Sequence, residues 1–207
     1  MPRLTDATKA ARRAQIIEAA ISCFLEKGYT NTSMSDIIKA SGLSSGSIYS
    51  HFSGKEDILN TAINERLNNV KELYETLPEG AGPQDILETI HTNQLVNDNF
   101  SAMLRIRAKS LHAPEIARAT ADTMPLLQGI IVKTLTPWAA EQLSVLHEIN
   151  PNSAQRTPEQ EALITDYARD TADAFMMVFQ GYMLRSFFGA PEEKDRLYRV
   201  ALALLPE

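Results

Sequence analysis

Side chains that form hydrogen bonds are concentrated in the short stretch from Ser44 to His51. Serine and tyrosine hydroxyls and a histidine imidazole can both donate and accept, so this stretch can engage the polar groups of a partner. Lys55 follows at the predicted start of a helix, where its charge and the backbone dipole together favour an anion. The chemistry predicted here is hydrogen bonding and anion binding.

The same residues also admit an ordinary structural interpretation. The serines can cap helices or lie on the surface, Tyr49 can pack against a neighbour, and Lys55 can be a solvated lysine at a helix start. A choice between the two interpretations depends on the elements that position these residues.

Patterns typical of catalysis are not recognisable in the sequence. His91, His112 and His147 are dispersed without the spacing of metal ligands, and Gly54-Lys55 lacks the glycine five residues earlier that a phosphate loop requires. The single cysteine, Cys23, cannot form an intramolecular disulfide, and it cannot build a zinc site alone. We therefore predict no enzyme activity, no metal and no cofactor.

Composition favours a globular protein with an uneven distribution of charge. Of the 207 residues 44% are hydrophobic and 22% charged, and the net charge is −6. Residues 1–55 hold seven Lys and Arg against four Asp and Glu, a net +3, and the rest holds thirteen against twenty-two, a net −9. A basic front module joined to an acidic body is compatible with a nucleic-acid partner. Without a membrane-spanning run or an export signal, we expect a cytoplasmic protein and no membrane contact.

Helical periodicity dominates from Thr8 onward, and no stretch alternates like a β-strand, so the predicted fold is all-α with about nine or ten helices. The first helix is expected over residues 8–27, with Gly28 as a left-handed C-cap. Ser33 and Asp36 have the spacing of a capping box at the start of a second, short helix. That helix is expected to end at Ser41-Gly42.

A third short helix is predicted from Ser44 through His51, and a long fourth helix from Lys55 to about Leu77. Ser53 with Glu56 is expected to form a second capping box there. The long helix is amphipathic, because apolar residues recur on one side of it. This stripe contains Leu59, Ile63, Leu67, Val70, Leu73, Tyr74 and Leu77.

The clearest break in the chain is the stretch 77–83, which contains two prolines and two glycines. Pro125 and Pro137 are expected to kink or split one of the helices beyond it, because a proline inside a helix removes a hydrogen bond. The helices predicted after the break cover roughly 84–99, 101–111, 114–146, 158–188 and 192–205.

Two short helices joined by a turn at Gly42 have the spacing of a helix-turn-helix. Leu43 and Ile48 are expected to face the core, as are Ile37 and Phe52. The segment from residue 28 to residue 59, GYTNTSMSDIIKASGLSSGSIYSHFSGKEDIL, resembles the N-terminal pattern of the TetR family of bacterial regulators nearly from end to end. The resemblance covers about residues 8–60.

This resemblance implies a three-helix DNA-binding domain at residues 1–54 and a helical domain for ligand binding and dimerisation at residues 55–207. The helix at 55–77 would be the rod that connects them. The implied function is that of a sequence-specific DNA-binding transcription regulator, a repressor that a small-molecule effector releases from a palindromic operator.

The resemblance also implies a recognition helix that enters the major groove, where hydroxyls and imidazole reach base edges or phosphates. It contains no arginine or lysine, so specificity is expected from weaker contacts, DNA shape or an arm around Arg3, Lys9, Arg12 and Arg13. Lys55 is the strongest candidate for a phosphate contact. The predicted DNA-binding residues are Thr32, Ser33, Ser35, Ser44, Ser45, Gly46, Ser47, Tyr49, Ser50, His51 and Lys55.

The acidic body is rich in methionine and aromatic residues, and these are candidates for the lining of an effector pocket. Each of them can equally be a residue of the hydrophobic core. Arg107 and Gln128 are the polar groups that could orient a largely apolar effector. The candidates are Phe100, Met103, Leu104, Arg107, Leu111, Met124, Leu127, Gln128, Trp138, Phe175, Met176 and Phe179.

The helix at 158–188 is apolar on more than one side, and therefore needs a second partner. The resemblance implies that it pairs, together with the helix at 192–205, with its copy in a homodimer. Two recognition helices would then meet half-sites roughly 34–36 Å apart.

An alternative from another class is an all-helical ligand carrier or interaction protein whose front module does not use DNA. Salt distinguishes the two, because a DNA-binding protein loses affinity steeply as salt rises.

Overall fold

The computed structural model describes residues 5–109, 112–147 and 156–207. Within these ranges every regular element is helical, which confirms the predicted all-α fold. Nine α-helices are described, α1 to α9, and a 3₁₀ turn at Pro191–Glu193 precedes the last of them. Their bounds in chain order are Asp6–Lys27, Met34–Ser41, Ser45–Tyr49, Lys55–Glu75, Pro83–Thr92, Gln94–Lys109, Pro114–His147, Pro158–Phe188 and Lys194–Ala203.

The chain forms two compact units. The first contains the residues up to 68 together with 102–123, and the second contains 69–101 and 124–207. Each unit has its own hydrophobic core. The functional boundary at residue 54 that we predict from the sequence is a different division, and it stays a prediction.

The core of the first unit lies under the short helices α2 and α3. Ile37 from α2, Ile48 from α3 and Phe52 from the segment after α3 are fully enclosed, as the sequence predicted. They pack with Ile16 and Phe24 of α1. Burial of side chains of this size stabilises a fold by about 1.5–3 kcal/mol each. Helices α2 and α3 depend on this burial, because helices of their length are not stable by themselves in water.

Local signals set the ends of α2 and the start of α3. Ser33 Oγ accepts from the Asp36 amide at 3.2 Å while the Asp36 carboxylate accepts from the Ser33 amide at 2.9 Å, which is the predicted capping box. At the other end Gly42 adopts φ 68° and ψ 8°, a left-handed conformation that favours glycine. Ser44 then caps α3 by accepting from the Ser47 amide at 3.2 Å.

One side chain of α1 fixes the last turn of α2. Gln15 Nε2 donates to the Ser41 carbonyl at 2.7 Å, and this carbonyl is one of those that a helix C-terminus leaves without an internal partner. The turn at Gly42 is therefore attached to α1 directly before α3 begins.

Three details of the first unit differ from the sequence predictions. Gly28 has a positive φ of 80°, but its ψ of 159° is extended, so it is not a left-handed cap. Helix α3 ends at Tyr49, which leaves His51 beyond it. The Ser53 amide donates to the Asp57 carboxylate at 2.9 Å and not to Glu56, the partner that the sequence predicted. Because α4 begins at Lys55, the carboxylate of Asp57 in its first turn is the one that reaches back to this amide.

Two details of the later helices also differ. The expected break between residues 99 and 101 lies at Asn93, whose side-chain oxygen accepts from the Val96 amide at 3.2 Å and so begins a new helix. The helix from residue 114 is not split, because Pro125 and Pro137 both lie inside the continuous α7.

Hydrogen bonding and ring stacking join three helices of the second unit. His91 of α5 shares a hydrogen bond of 2.6 Å between its Nδ1 and the Tyr182 hydroxyl of α8, and it stacks on Tyr198 of α9 with ring centres 3.9 Å apart. Burial, with Lys194 nearby, lowers the pKa of His91 and favours the neutral ring. This cluster holds α5, α8 and α9 as one packed group.

No helix in the part of the chain that the structure describes is long and apolar enough to span a bilayer.

We predict that Gly42→Ala destabilises the protein by about 1–2 kcal/mol, because an L side chain is strained at φ 68°. Gly42→Asn, which tolerates this conformation better, should cost less. Urea unfolding of the full chain measures both. Since a Cβ at Gly42 would meet no other atom within 4 Å, equal losses for the two variants would contradict this explanation.

Candidate nucleic-acid interface

The predicted contact residues of α3 lie together on a surface of the first unit. Ser44, Ser45, Gly46 and Ser50 are exposed, and the Tyr49 side chain is 53% exposed. Ile48 is the one residue of α3 that is fully enclosed. The helix therefore buries a single apolar anchor and exposes Ser45, Gly46 and Tyr49.

Internal hydrogen bonds already use some of these groups. Ser44 Oγ accepts from the Ser47 amide, and Ser50 Oγ donates to the Ser47 carbonyl at 2.6 Å. The Ser47 hydroxyl is enclosed and has no hydrogen-bond partner among the described residues, so it is not available at the surface. The side chains of Ser45 and Tyr49 make no hydrogen bond within the described part of the chain, and they are the groups of α3 most accessible to a partner.

Gly46 lies on the exposed face of α3, and the protein itself does not require a glycine there. A Cβ added at this position would meet no atom within 4 Å, and its φ is not in the left-handed region. A glycine inside a helix costs about 1 kcal/mol relative to alanine. The observed residue thus leaves the α3 backbone open to close approach from outside.

The residues predicted before and within α2 divide into structural and accessible ones. Thr32 is 2% exposed, and its hydroxyl donates to the carbonyls of Gly28 at 2.8 Å and Cys23 at 3.2 Å, so it cannot reach an outside partner. Ser33 is the N-cap of α2, and its hydroxyl also donates to Asp36 at 2.7 Å. Ser35 is exposed and is the free hydroxyl of this group.

An ion pair stabilises the same helix start. Lys27 Nζ donates to the Asp36 carboxylate at 2.6 Å. This bond, and then the hydrogen bonds from Ser33, hold the pKa of Asp36 well below its usual range. Asp36 therefore remains ionised and its charge is neutralised locally instead of repelling an approaching anion.

Lys55 has a role that the sequence did not indicate. Its ammonium donates to the carbonyls of Tyr29 at 2.9 Å and Thr32 at 3.0 Å, and it lies 4.4 Å from the centre of the Tyr29 ring. An ammonium has three N–H groups, so one at most is left for a phosphate. Lys55 joins the first turn of α4 to the segment between α1 and α2.

The basic residues expected in an N-terminal arm are part of α1, apart from Arg3, which lies outside the described residues. The helix begins at Asp6 because Thr5 caps it by accepting from the Thr8 amide. Lys9 is exposed, whereas Arg13 donates to Thr61 at 3.1 Å and lies 4.6 Å from the centre of the Phe52 ring. Arg13 is thus a packing residue, which corrects the predicted arm.

The predicted pocket residues are divided between the two units. Met103, Leu104 and Arg107 belong to the first unit, and the other described candidates belong to the second. Leu111 lies outside the described residues. None of the described candidates lines the cavity of about 220 Å³ in the second unit. Their role in ligand binding stays a prediction.

Several candidates for the pocket have packing partners within the second unit. Phe175 stacks with Phe179, whose ring also meets the edge of Phe100 at a centroid distance of 5.8 Å. Trp138 stacks on Tyr167. Gln128 donates to the Asp173 carboxylate. Leu127 and Met176 pack against the same core as these rings.

Comparison with known proteins agrees with this helix geometry. Residues 16–62, which run from α1 into α4, match the family model described as bacterial regulatory proteins, tetR family. Over these residues the chain is similar to the TetR family. A relative is the HTH-type transcriptional regulator BetI of Stenotrophomonas maltophilia, 32% identical over 114 residues, or 52% of this chain. The matched region spans 58% of that regulator's length.

Solved structures support the TetR fold over nearly the whole chain. GusR of Salmonella enterica is 20% identical with a TM-score of 0.62, and the match covers 99% of both chains. A TetR-family transcriptional regulator of Agrobacterium tumefaciens is 15% identical with a TM-score of 0.61, over 96% of this chain and 100% of its own. At this identity the likeness establishes the fold, an N-terminal helix-turn-helix followed by a helical C-terminal part.

We predict that Lys55→Met destabilises the folded protein by about 1–3 kcal/mol, because it leaves two carbonyls without their charged donor and removes the contact with the Tyr29 ring. The matched control is Lys39→Met, which changes an exposed lysine of α2 and should alter stability by less than about 0.5 kcal/mol. Urea unfolding of both variants is the measurement. Equal stabilities would show that Lys55 is a surface cation.

Proposed function

We propose that this protein is a sequence-specific DNA-binding transcription regulator that acts in the cytoplasm as a homodimer. The observation that carries the proposal is the construction of α3, which buries Ile48 alone and exposes the polar residues around Tyr49. Its position after the left-handed Gly42 is that of the second helix of a helix-turn-helix. The TetR-family match over residues 16–62 includes both short helices.

Within this proposal the predicted contact residues have different roles. Ser45, Tyr49, Ser50 and His51 would meet base edges or phosphates, and Ser35 would meet the phosphate backbone. Gly46 would allow the α3 backbone to lie close to the groove. The remaining predicted residues would support these contacts from within the protein, by holding the helices that carry them in place. They are Thr32, Ser33, Ser44, Ser47 and Lys55.

The proposed contacts are individually weak. A neutral hydrogen bond contributes about 0.5–1.5 kcal/mol, and α3 has no arginine to bind guanine bidentately. A single module of this kind would therefore discriminate poorly between sequences. A dimer would place two modules on the two half-sites of a palindromic operator, and the contacts of both modules would together discriminate between sequences.

Exposed apolar side chains support a homodimer through residues 158–188 and 192–205. Helix α8 carries Met177 at 70% and Phe188 at 76% exposure, and Leu204, the residue directly after α9, is 67% exposed. Large apolar side chains clustered on two helices are typical of an interaction surface. The others on these helices are Leu163, Leu184, Phe187 and Val200.

We further infer that the protein is a repressor without enzyme activity or cofactor, and that a largely apolar effector releases it from DNA. Residues 1–54 would bind DNA and residues 55–207 would bind the effector and the second copy. Release requires that the effector bind more tightly to the conformation that does not fit the operator.

The experiment that tests DNA binding is selection of genomic fragments by the purified full chain, followed by affinity measurements over a range of salt concentrations. Affinity should fall steeply with salt, by about 0.9 logarithmic units per tenfold salt increase for each phosphate contact. Gly46→Ala should weaken binding to the selected fragment without destabilising the fold, because the added methyl group meets only the DNA.

A protein that binds no duplex at low salt would be an interaction or carrier protein instead. Unchanged affinity of Gly46→Ala, with a salt-dependent wild type, would remove α3 from the interface while leaving DNA binding intact.

We predict that Met177→Glu and Leu204→Glu shift the protein from dimer to monomer, because each variant would bury a charge at the proposed interface. Sedimentation velocity measures the change. Leu126→Glu is the matched control, since Leu126 is 56% exposed on α7, outside the proposed interface, and this variant should remain dimeric. Loss of the dimer in all three variants, or in none, would contradict the proposed interface.

A further inference from the structure

A cavity of about 220 Å³ lies in the second unit between the last turns of α4, the segment that follows α4, and the middle of α7. Its apolar walls include Leu77, Ile130 and Pro137. Cavities of about 150 Å³ accept a benzene ring, so this one has room for a ring-sized apolar body together with a small polar group.

Tyr74 of α4 gives the cavity a buried polar group. The side chain lines the cavity and is 7% exposed. Its hydroxyl has no hydrogen-bond partner within the described part of the chain, yet it is not among the atoms sealed from solvent. The side chain lines the cavity and its hydroxyl keeps some access to solvent, which points to the cavity as the space that the hydroxyl faces.

The Tyr74 hydroxyl acts there as a neutral donor. Burial raises its pKa far above the usual value of a phenol, so it keeps its proton. Thr134, the other hydroxyl of the lining, already donates to the Ile130 carbonyl at 3.0 Å. Of the two hydroxyls in the lining, the one whose proton is not used within the described part of the chain is therefore that of Tyr74.

Two lysines and two glutamates of the lining carry charge, so the position of each ammonium matters more than the total. Lys133 of α7 is exposed and forms no ion pair with any described residue. Lys71 of α4 lies 3.8 Å from Glu75, but both side chains are largely exposed, and such pairs contribute little. Glu79 also belongs to the lining and is exposed. A phenol donor beside an unpaired ammonium favours an acceptor that carries negative charge.

We propose that this cavity binds a small organic monocarboxylate with a flat apolar body, whose carboxylate accepts hydrogen bonds from the Tyr74 hydroxyl and the Lys133 ammonium while its ring contacts Leu77, Ile130 and Pro137. As an effector site, it rests on the proposed function. Helix α4 carries Tyr74 near its end and begins at Lys55, directly after the α3 module. A ligand on Tyr74 therefore contacts the helix that leads away from the proposed DNA-binding surface.

The test uses benzoate as the probe, with benzamide and benzylamine as neutral and cationic molecules of similar shape. Calorimetry with the full chain should detect benzoate binding in about the millimolar range, as expected for so small a ligand. Benzylamine should bind at least about tenfold more weakly, because its charge is opposite. Equal or tighter binding of benzylamine would show that Glu75 and Glu79 determine the site, and would overturn the proposal.

Variants assign the binding to this cavity. Tyr74→Phe keeps the ring and removes the hydroxyl, and should weaken benzoate binding about tenfold with little effect on benzamide. Lys133→Met should also weaken it, less so at high salt, because the lysine is exposed and its charge is screened. Lys39→Met, on α2 of the first unit, is the control and should bind benzoate normally. Unchanged affinity in both cavity variants would place benzoate elsewhere and refute the assignment.

The assay also separates this inference from the proposed function. Calorimetry needs no DNA, so benzoate binding without any duplex binding would leave the site standing and remove its role as an effector site. Duplex binding without benzoate binding would refute the site and leave DNA binding intact.

Discussion

A helix of five residues does not hold itself together in water, so the proposed recognition surface depends on the burial of Ile48. Nucleation of a helix is unfavourable, and α3 has about one turn in which to recover that cost. The enclosed Ile48 side chain, packed with Ile37 and Phe52, supplies the missing free energy. The exposed positions of Ser45, Gly46 and Tyr49 follow from that single anchor, because they occupy the other sides of the same turn.

Polar contacts then fix where this helix begins and how its neighbours meet it. Gln15 holds the C-terminal carbonyl of α2, and Lys55 holds the carbonyls of Tyr29 and Thr32. Arg13 similarly reaches Thr61. These side chains satisfy backbone groups and hydroxyls that would otherwise lack partners. The side chains of Ser45 and Tyr49 on the surface of α3 are not needed for these contacts, so they are accessible to a binding partner.

The second unit has aromatic packing in its core. Outside that core it exposes large apolar side chains and a hydroxyl that lacks a hydrogen-bond partner among the described residues. His91, Tyr182 and Tyr198 close a stacked and hydrogen-bonded group between three helices. By contrast, Met177 and Phe188 extend into solvent, and the Tyr74 hydroxyl has no hydrogen-bond partner among the residues that the structure describes. The first feature favours a second protein surface, and the second favours a small polar ligand. Both are costs that the isolated chain carries and that a bound partner would relieve.

Features that depend on near neighbours in the chain can be predicted from the sequence alone. The all-α fold, the Ser33 and Asp36 capping box, the left-handed turn at Gly42 and the burial of Ile48 all follow from helical periodicity and from pairs three or four residues apart. The roles of Lys55 and Thr32 and the place of the cavity depend on contacts between residues far apart in the chain, so they could not be predicted in this way. Lys55 bonds carbonyls 23 and 26 residues away, and a backbone carbonyl leaves no mark in the identity of its residue. The aromatic residues predicted around an effector pack against the core of the second unit, and their role in ligand binding stays a prediction. Composition specifies that a side chain is apolar, whereas packing alone specifies what it touches.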